Sequence, residues 1–513
     1  MEKLAFNPTG DLGLFAPEIL LAALGAVVLA IAVTARNRYP LAAPIVALLG
    51  LLVCLPLSAS LWRHEENVIF LGSYAVDDLA VFFKLIAITI GGLVILASVS
   101  FMRRAQGEYG EFFALLVWAV LGLCLMAGAS DLIVILLSIE MVSIVSYVLT
   151  GYFRREPRSA EASLKYFLFG AAASAVMLYG LSLLYGAAGT TKIYGLFGEA
   201  GQLARNLELR PSILQPIAAV LILAGLGFKI AMVPFHWWAP DAYEGAPTPV
   251  TAFLSVGPKA AGFAIIARLF MQHDNAIYAQ WPAIVAWLAV ATMFIGNWTA
   301  IWQTNIKRML AYSSIAHAGY MLIGIVAWRG AAWEVDQPWG SPTQHGGLHA
   351  VLFYIAAYLF MNMGAFGVAI AVEQATGSAS IDEYRGLAQR APFLAIAMVI
   401  FLLSLSGIPP LAGFFGKYYV FNAAIRNERF VWLAVVGVIN SVIAVYYYMN
   451  VVRLMYFRQP LDSDAEDAAL RPQPAAGLQS VVIITLIVTI LLGILPNPLV
   501  RFLSDSLLPG GLS

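Results

Sequence analysis

The chain has 513 residues, of which 61% are hydrophobic and 11% charged, with 29 basic and 29 acidic side chains. Soluble domains carry about 25% charged residues, so this chain lacks the polar surface that a soluble protein of its length needs, and its solvent must be lipid. A net charge of zero leaves no basic footprint for nucleic acid. The two cysteines, Cys54 and Cys124, lie in separate apolar runs and cannot supply the clustered ligands of a metal or iron–sulfur site. Neither G-x-G-x-x-G nor G-x-x-x-x-G-K-[ST] occurs, so no nicotinamide, flavin or ATP is expected on this chain alone.

A spanning helix needs about 20 mainly apolar residues. Fourteen such runs are predicted, at 14–35, 40–61, 79–101, 112–128, 131–151, 163–186, 213–238, 248–271, 281–302, 306–328, 347–373, 391–423, 430–456 and 478–503. The first has neither a basic flank nor an A-x-A-like site and reads as a retained span. The connections are short except 187–212, 329–346 and 457–477, which leaves no room for a soluble domain. Fourteen Lys and Arg, Lys307 and Arg308 among them, follow odd-numbered spans, against ten, Arg268 among them, on the other side. That bias predicts a multi-pass protein with both termini outside, on the periplasmic side of the inner membrane in a Gram-negative bacterial cell.

Five lysines remain inside apolar runs: Lys84, Lys165, Lys229, Lys259 and Lys417. Glu140, in LLSIEMVSIV, is the acid read in the same way. A charge at bilayer depth costs at least about 2.5–3.5 kcal/mol, so these residues are expected to face a hydrated interior and to partner one another. Lys84, beside Asp77 and Asp78, reads as a lysine that snorkels to the interface. Lys165 begins its span close to Arg158 and is a secondary candidate. Glu140, Lys229, Lys259 and Lys417 are far from either end of their spans, so snorkelling does not explain them. His317, in YSSIAHAGY, fits either a hydrogen-bonded core residue or a participant. A buried lysine with a movable counter-charge can be loaded and unloaded. Moving a proton against about 180 mV takes about 4 kcal/mol, or roughly 3 pKa units, which lies within the range that burial can shift a lysine.

Two of these lysines lie on interrupted spans. GFKIAMVPFHWWAPDAYEGAPTPV carries Lys229 and then Pro234, Pro240, Pro247 and Pro249, while LSGIPPLAGFFGKYYV carries Pro409 and Pro410 before Lys417. Proline removes a backbone donor, and broken backbone at membrane depth lines a cavity or an ion site. The broken spans are the seventh and twelfth, so they run in opposite directions. That predicts two inverted five-helix repeats, at about spans 4–8 and 9–13.

PFHWWAPDAYEGAPTPVTAFLSVGPKAAGFA, NIKRMLAYSSIAHAGYML, LFYIAAYLFMNMGAFGV and YRGLAQRAPFLAIAMVIFLLSLSGIPPLAGFFGKYYVF resemble the antiporter-like membrane subunits of respiratory complex I, from about residue 110 to 456. The form P-D-x-Y-E-G-A-P-T-P-V is similar to the subunit N branch rather than to subunits L and M or the Mrp-type antiporters. The resemblance implies that Glu140 pairs with Lys229, that Lys259 is the central lysine, that Lys417 is the terminal one, and that Lys165 and His317 assist. It implies an all-α polytopic fold divided into helices 1–3 (1–110), a first repeat (111–272), a second repeat (273–457) and a C-terminal loop and helix (458–513). It further implies a proton-translocating module with no bound cofactor, whose quinone, NADH, FMN and iron–sulfur clusters belong to partner subunits. Subunits M, K and J and lipid are the implied neighbours. A stand-alone cation/proton antiporter subunit and a non-catalytic scaffold remain the alternative readings.

Overall fold

The computed structural model describes residues 8–34, 39–62, 67–104, 109–193, 203, 206–207, 212–271, 281–328, 346–460 and 472–504. Most of each long predicted connection lies outside the described residues, as do Arg36, Arg38, Arg63, Arg205, Arg210, Arg329 and Arg471 of the charge count.

The chain is nearly all helix, as its composition requires. The helices are α1 (Pro8–Leu14), α2 (Ala16–Thr34), α3 (Ala42–Ala59), α4 (Asp78–Arg104), α5 (Gly110–Gly128), α6 (Leu132–Thr150) and α7 (Pro157–Ala188). There follow α8 (Leu214–Ile230), α9 (Trp238–Gly245), α10 (Thr248–Phe270), α11 (Trp281–Ala300), α12 (Ile306–Val326) and α13 (Gly346–Thr376). The last are α14 (Leu387–Arg390), α15 (Pro392–Ser406), α16 (Ala412–Arg426), α17 (Val431–Phe457), α18 (Ala476–Ile494) and α19 (Asn497–Ser504). Among the described residues, 12 helices are long and apolar enough to cross a membrane. Two shorter apolar helices, α8 and α15, occupy the places of the seventh and twelfth predicted runs.

These two runs are divided rather than continuous. The expected helix 213–238 stops at Ile230 and resumes at Trp238, and 391–423 stops at Ser406 and resumes at Ala412. Pro234 lies in the first gap and Pro409 and Pro410 in the second, where a proline can neither donate to the helical ladder nor leave room for the preceding turn. The chain leaves α8 through Ala231 in the left-handed region (φ 58°) and leaves α15 through Gly407 (φ 86°). A Cβ built on Gly407 would stand 2.8 Å from Cδ of Lys417, so glycine is required there both by the backbone and by the lysine stem.

Burial separates an interior from a lipid-facing shell. Every residue in the most apolar stretch of α10 and of α12 is buried, as are 94% of that in α13, against 28% in α7 and 33% in α3 and α18. The outer faces of the shell carry exposed leucine, isoleucine, valine and phenylalanine such as Leu137, Ile144, Leu164, Phe167 and Val442, as expected where lipid replaces water. Small residues bring interior helices together: a Cβ on Gly296 of α11 would lie 2.7 Å from the Ala316 nitrogen, and one on Gly319 of α12 would lie 2.8 Å from that of Met293. The sequence did not predict a short hairpin, β1 (Asn67–Ile69) with β2 (Tyr74–Val76), paired Val68 to Ala75. Its turn runs through Phe70, Leu71 and Gly72, all at positive φ, and it seats against the end of α5, where Ser130 N–H donates to the Ser73 carbonyl at 3.1 Å.

Candidate functional site

The three interior lysines are all enclosed: Lys229 is 1% exposed, Lys259 4% and Lys417 4%. Lys229 closes the last turn of α8, immediately before the break. Its ammonium donates to the Ser143 hydroxyl on α6 at 2.7 Å. Glu140 stands one turn away on the same helix and accepts a hydrogen bond from Ser174 of α7. The direct Glu140–Lys229 pair implied by the family resemblance is therefore not formed; a hydroxyl takes the ammonium, with the carboxylate near enough for their charges to attract.

Lys259 projects from α10 between two helices. Gly262, one turn on, lets that surface reach Lys229: a Cβ there would lie 3.6 Å from the Lys229 Cβ. The Lys259 ammonium donates to the Ser314 hydroxyl of α12, and Ser255 on the Lys259 helix is held by Asn362 of α13, whose amide donates to its hydroxyl at 2.6 Å. One turn beyond Ser314, His317 lies 2% exposed. Its Nδ1 is 2.7 Å from the Tyr354 hydroxyl, and its Nε2 is 3.3 Å from the Tyr448 hydroxyl, which also touches Ser313. Lys417 follows on α16, where its ammonium donates to the Ser406 carbonyl at 2.8 Å and to the Ser441 hydroxyl at 2.6 Å, 4.7 Å over the Tyr320 ring. Tyr320 and Tyr447 meet at Asn297, at 3.0 and 3.2 Å. Lys229, Lys259, His317 and Lys417 are thus each enclosed and held by serine or tyrosine hydroxyls, with Glu140 one turn from the Ser143 that holds Lys229. Such hydroxyls both donate and accept, which is what proton passage between ammonium groups requires.

Lys165 lies apart from this row. Its side chain is 41% exposed and paired with Glu161 at 2.7 Å and Asp241 at 2.8 Å. Asp241 also meets Arg308 at 2.7 Å, and Arg308 meets Glu244 at 2.8 Å. This network joins α7, α9 and the first turn of α12, on the side to which the sequence assigns the larger share of lysine and arginine, so Lys165 belongs to a partly exposed ion-pair cluster. Asp241 and Glu244 come from the P-D-A-Y-E-G stretch and were not singled out as charges from the sequence.

Three further charges were misplaced by the sequence reading. Lys84 does not snorkel: it is 0% exposed and meets Glu18 of α2 at 2.8 Å. Glu18 sits in the first apolar run, and the same test that singled out Glu140 would have found it. The Tyr74 hydroxyl lies 2.8 Å from that carboxylate. Arg268, counted as a connection residue, is 1% exposed in the last turn of α10, gripping Asp77 through two nitrogens at 2.7 and 2.8 Å and the Ala127 carbonyl at 2.7 Å. Burial alone would raise the Asp77 carboxyl, but the charge and hydrogen bonds of Arg268 outweigh it and hold Asp77 below the ordinary carboxylate value. Lys307, also counted as a connection residue, is buried, donates to the Ala246 carbonyl at 2.9 Å and stands 4.0 Å from Glu373.

A bundle with lysines buried beside interrupted helices is the construction of an ion-translocating membrane protein. Residues 129–444 match the family model described as NADH:quinone oxidoreductase/Mrp antiporter, TM. The chain is 41% identical to NADH-quinone oxidoreductase subunit N of Desulfitobacterium hafniense over 96% of this chain and 97% of that one. It is 44% identical to subunit N of Heliobacterium modesticaldum over 95% and 97%. A chain of respiratory complex I from Thermus thermophilus superposes with a TM-score of 0.76 at 30% identity, covering 96% of this chain and all of that one. The chain belongs to the antiporter-like complex I membrane family, in its subunit N branch.

Proposed function

We propose that the chain is a proton-translocating membrane subunit of an NADH–quinone oxidoreductase, and that Glu140, Lys229, Lys259 and Lys417, with His317 between the last two, form its proton relay. The observation that carries this reading is that Lys229, Lys259, His317 and Lys417 are all buried in an otherwise apolar core, each held by hydroxyl groups. Lys259 and Lys417 make no ion pair with a carboxylate among the described residues; their ammonium groups rest on neutral oxygens. A scaffold would pair them. Lys165, ion-paired through Asp241 with Arg308, stays a secondary candidate outside the row.

On this reading each interrupted pair of helices makes one crossing, giving fourteen with 12 continuous spans. The domains are 1–110, 111–272, 273–457 and 458–513, the middle two being inverted repeats, and both termini face outside. Redox centres and quinone belong to partner chains, and subunits M, K and J are the membrane neighbours. The test is Lys229→Ala in the whole complex reconstituted in vesicles. NADH oxidation with assembly retained but proton uptake greatly reduced is the expected result, and wild-type pumping removes Lys229 from the relay. A purified complex without flavin or iron–sulfur clusters would favour the stand-alone antiporter instead.

A further inference from the structure

A cavity of about 360 Å³ lies on the arginine-rich face, outside the lysine row. Thr304, Asp382, Arg385, Asn450, Arg453 and Arg458 are among its walls, contributed by the α11–α12 connection, the turn after α13 and the end of α17. Arg385 is matched by Asp382, an ion pair of 2.7 Å. Arg453 donates to the Asn450 amide oxygen at 2.9 Å, and neither it nor Arg458 meets a carboxylate among the described residues. Among the described residues the lining therefore holds three guanidinium groups against one carboxylate, a net positive wall.

The depth of this cavity is marked by aromatic side chains. Trp302 is 73% exposed beside Thr304, and Phe457 81% beside Arg458; exposed aromatic rings at helix ends mark the headgroup level. On α17, Val435, Val442 and Tyr446 are exposed at helical spacing, and Arg453 continues that stripe seven residues beyond Tyr446. One face of the helix thus runs from apolar surface, suited to acyl chains, to Arg453, with Arg458 just past the helix end on the same cavity wall. Basic pockets between membrane helices hold anionic headgroups, and a guanidinium fork matches phosphate geometry.

We propose that this cavity binds the phosphate of an anionic phospholipid, with Arg453 and Arg458 as the binding charges and the acyl chains along the exposed face of α17. The site is independent of the proton relay.

The experiment uses the purified complex, stripped of lipid in detergent and titrated with phosphatidylglycerol or phosphatidylcholine. One saturable phosphatidylglycerol site that R453Q/R458Q weakens about thirtyfold is expected, at about 1 kcal/mol for each arginine near the surface. The exposed pair R154Q/R155Q, on the same side but outside the cavity, serves as control and should leave that site intact. R453K/R458K, which keeps the charge, should restore most of the binding and shows that the fold survives substitution. Equal weakening by both glutamine pairs, no weakening by either, or equal binding of phosphatidylcholine overturns the proposal. Displacement of the lipid by millimolar inorganic phosphate overturns it too, assigning the cavity to free phosphate.

Discussion

Replacing Glu18 with glutamine leaves Lys84 enclosed with no carboxylate in direct contact among the described residues. The two side chains meet at 2.8 Å with 0% exposure on either, so solvent cannot take over when the carboxylate is lost. Removing one partner of a buried pair costs about 3–5 kcal/mol. Because the pair ties α2 to α4, the cost falls on the docking of the N-terminal helices, and the undocked fraction should rise about 100-fold or more. Glu18→Gln with Lys84→Met removes both charges and should recover most of the loss. Limited proteolysis of the assembled complex reads the undocked population, provided that closing is fast relative to cleavage. Cleavage near α2 that differs less than about threefold between wild type and Glu18→Gln, or a double variant no better than the single one, would refute this account.

Two further outcomes follow from the geometry. Asp77→Asn leaves Arg268 with one fewer anion, and its penalty should depend on pH. The folded carboxyl of Asp77 lies below its unfolded value, so the pair stabilises fully above the ordinary value of about 3.9 and loses its effect as pH falls through the folded value. Heat-inactivation rates of wild type and Asp77→Asn should therefore differ most near neutrality and converge in acid; a constant difference would count against the pair. Gly413→Ala would place a Cβ 1.8 Å from the Ser404 carbonyl oxygen, at the seam between α15 and α16. Overpacking of about 1–3 kcal/mol or more should lower the amount of assembled subunit, measured by quantitative blotting of membranes, and unchanged assembly would show that the seam can yield.

Hydropathy was enough to locate the spans, because lipid demands long apolar runs whatever their neighbours. The prolines located the two interruptions but not their extents, since where a helix stops depends on what accepts its free carbonyls. Lys229, Lys259 and Lys417 were legible because no loop was close enough to explain them. Arg268 and Lys307 were not: each lies at a helix end, where sequence alone cannot distinguish a side chain reaching water from one reaching Asp77 or Ala246. Lys84 was misread for the same reason, its partner Glu18 being 66 residues away in the chain. The hairpin at 67–76 is too short for alternation to announce it, and contact with the end of α5 stabilises it.

Three buried cations that end on backbone oxygen share a further property. Lys417 rests on the carbonyl of Ser406, the last residue of α15; Lys307 on that of Ala246, just beyond α9; and Arg268 on that of Ala127, in the final turn of α5. The closing carbonyls of a helix lack partners of their own and carry its negative pole. Each cation is therefore a stopper for a helix other than its own. At Lys417 the stopper is also a proposed proton carrier, so displacing that ammonium would bare the end of α15 at the interruption. Proton occupancy and backbone position would then be mechanically joined at a single atom, and a shift of one would be felt as a shift of the other.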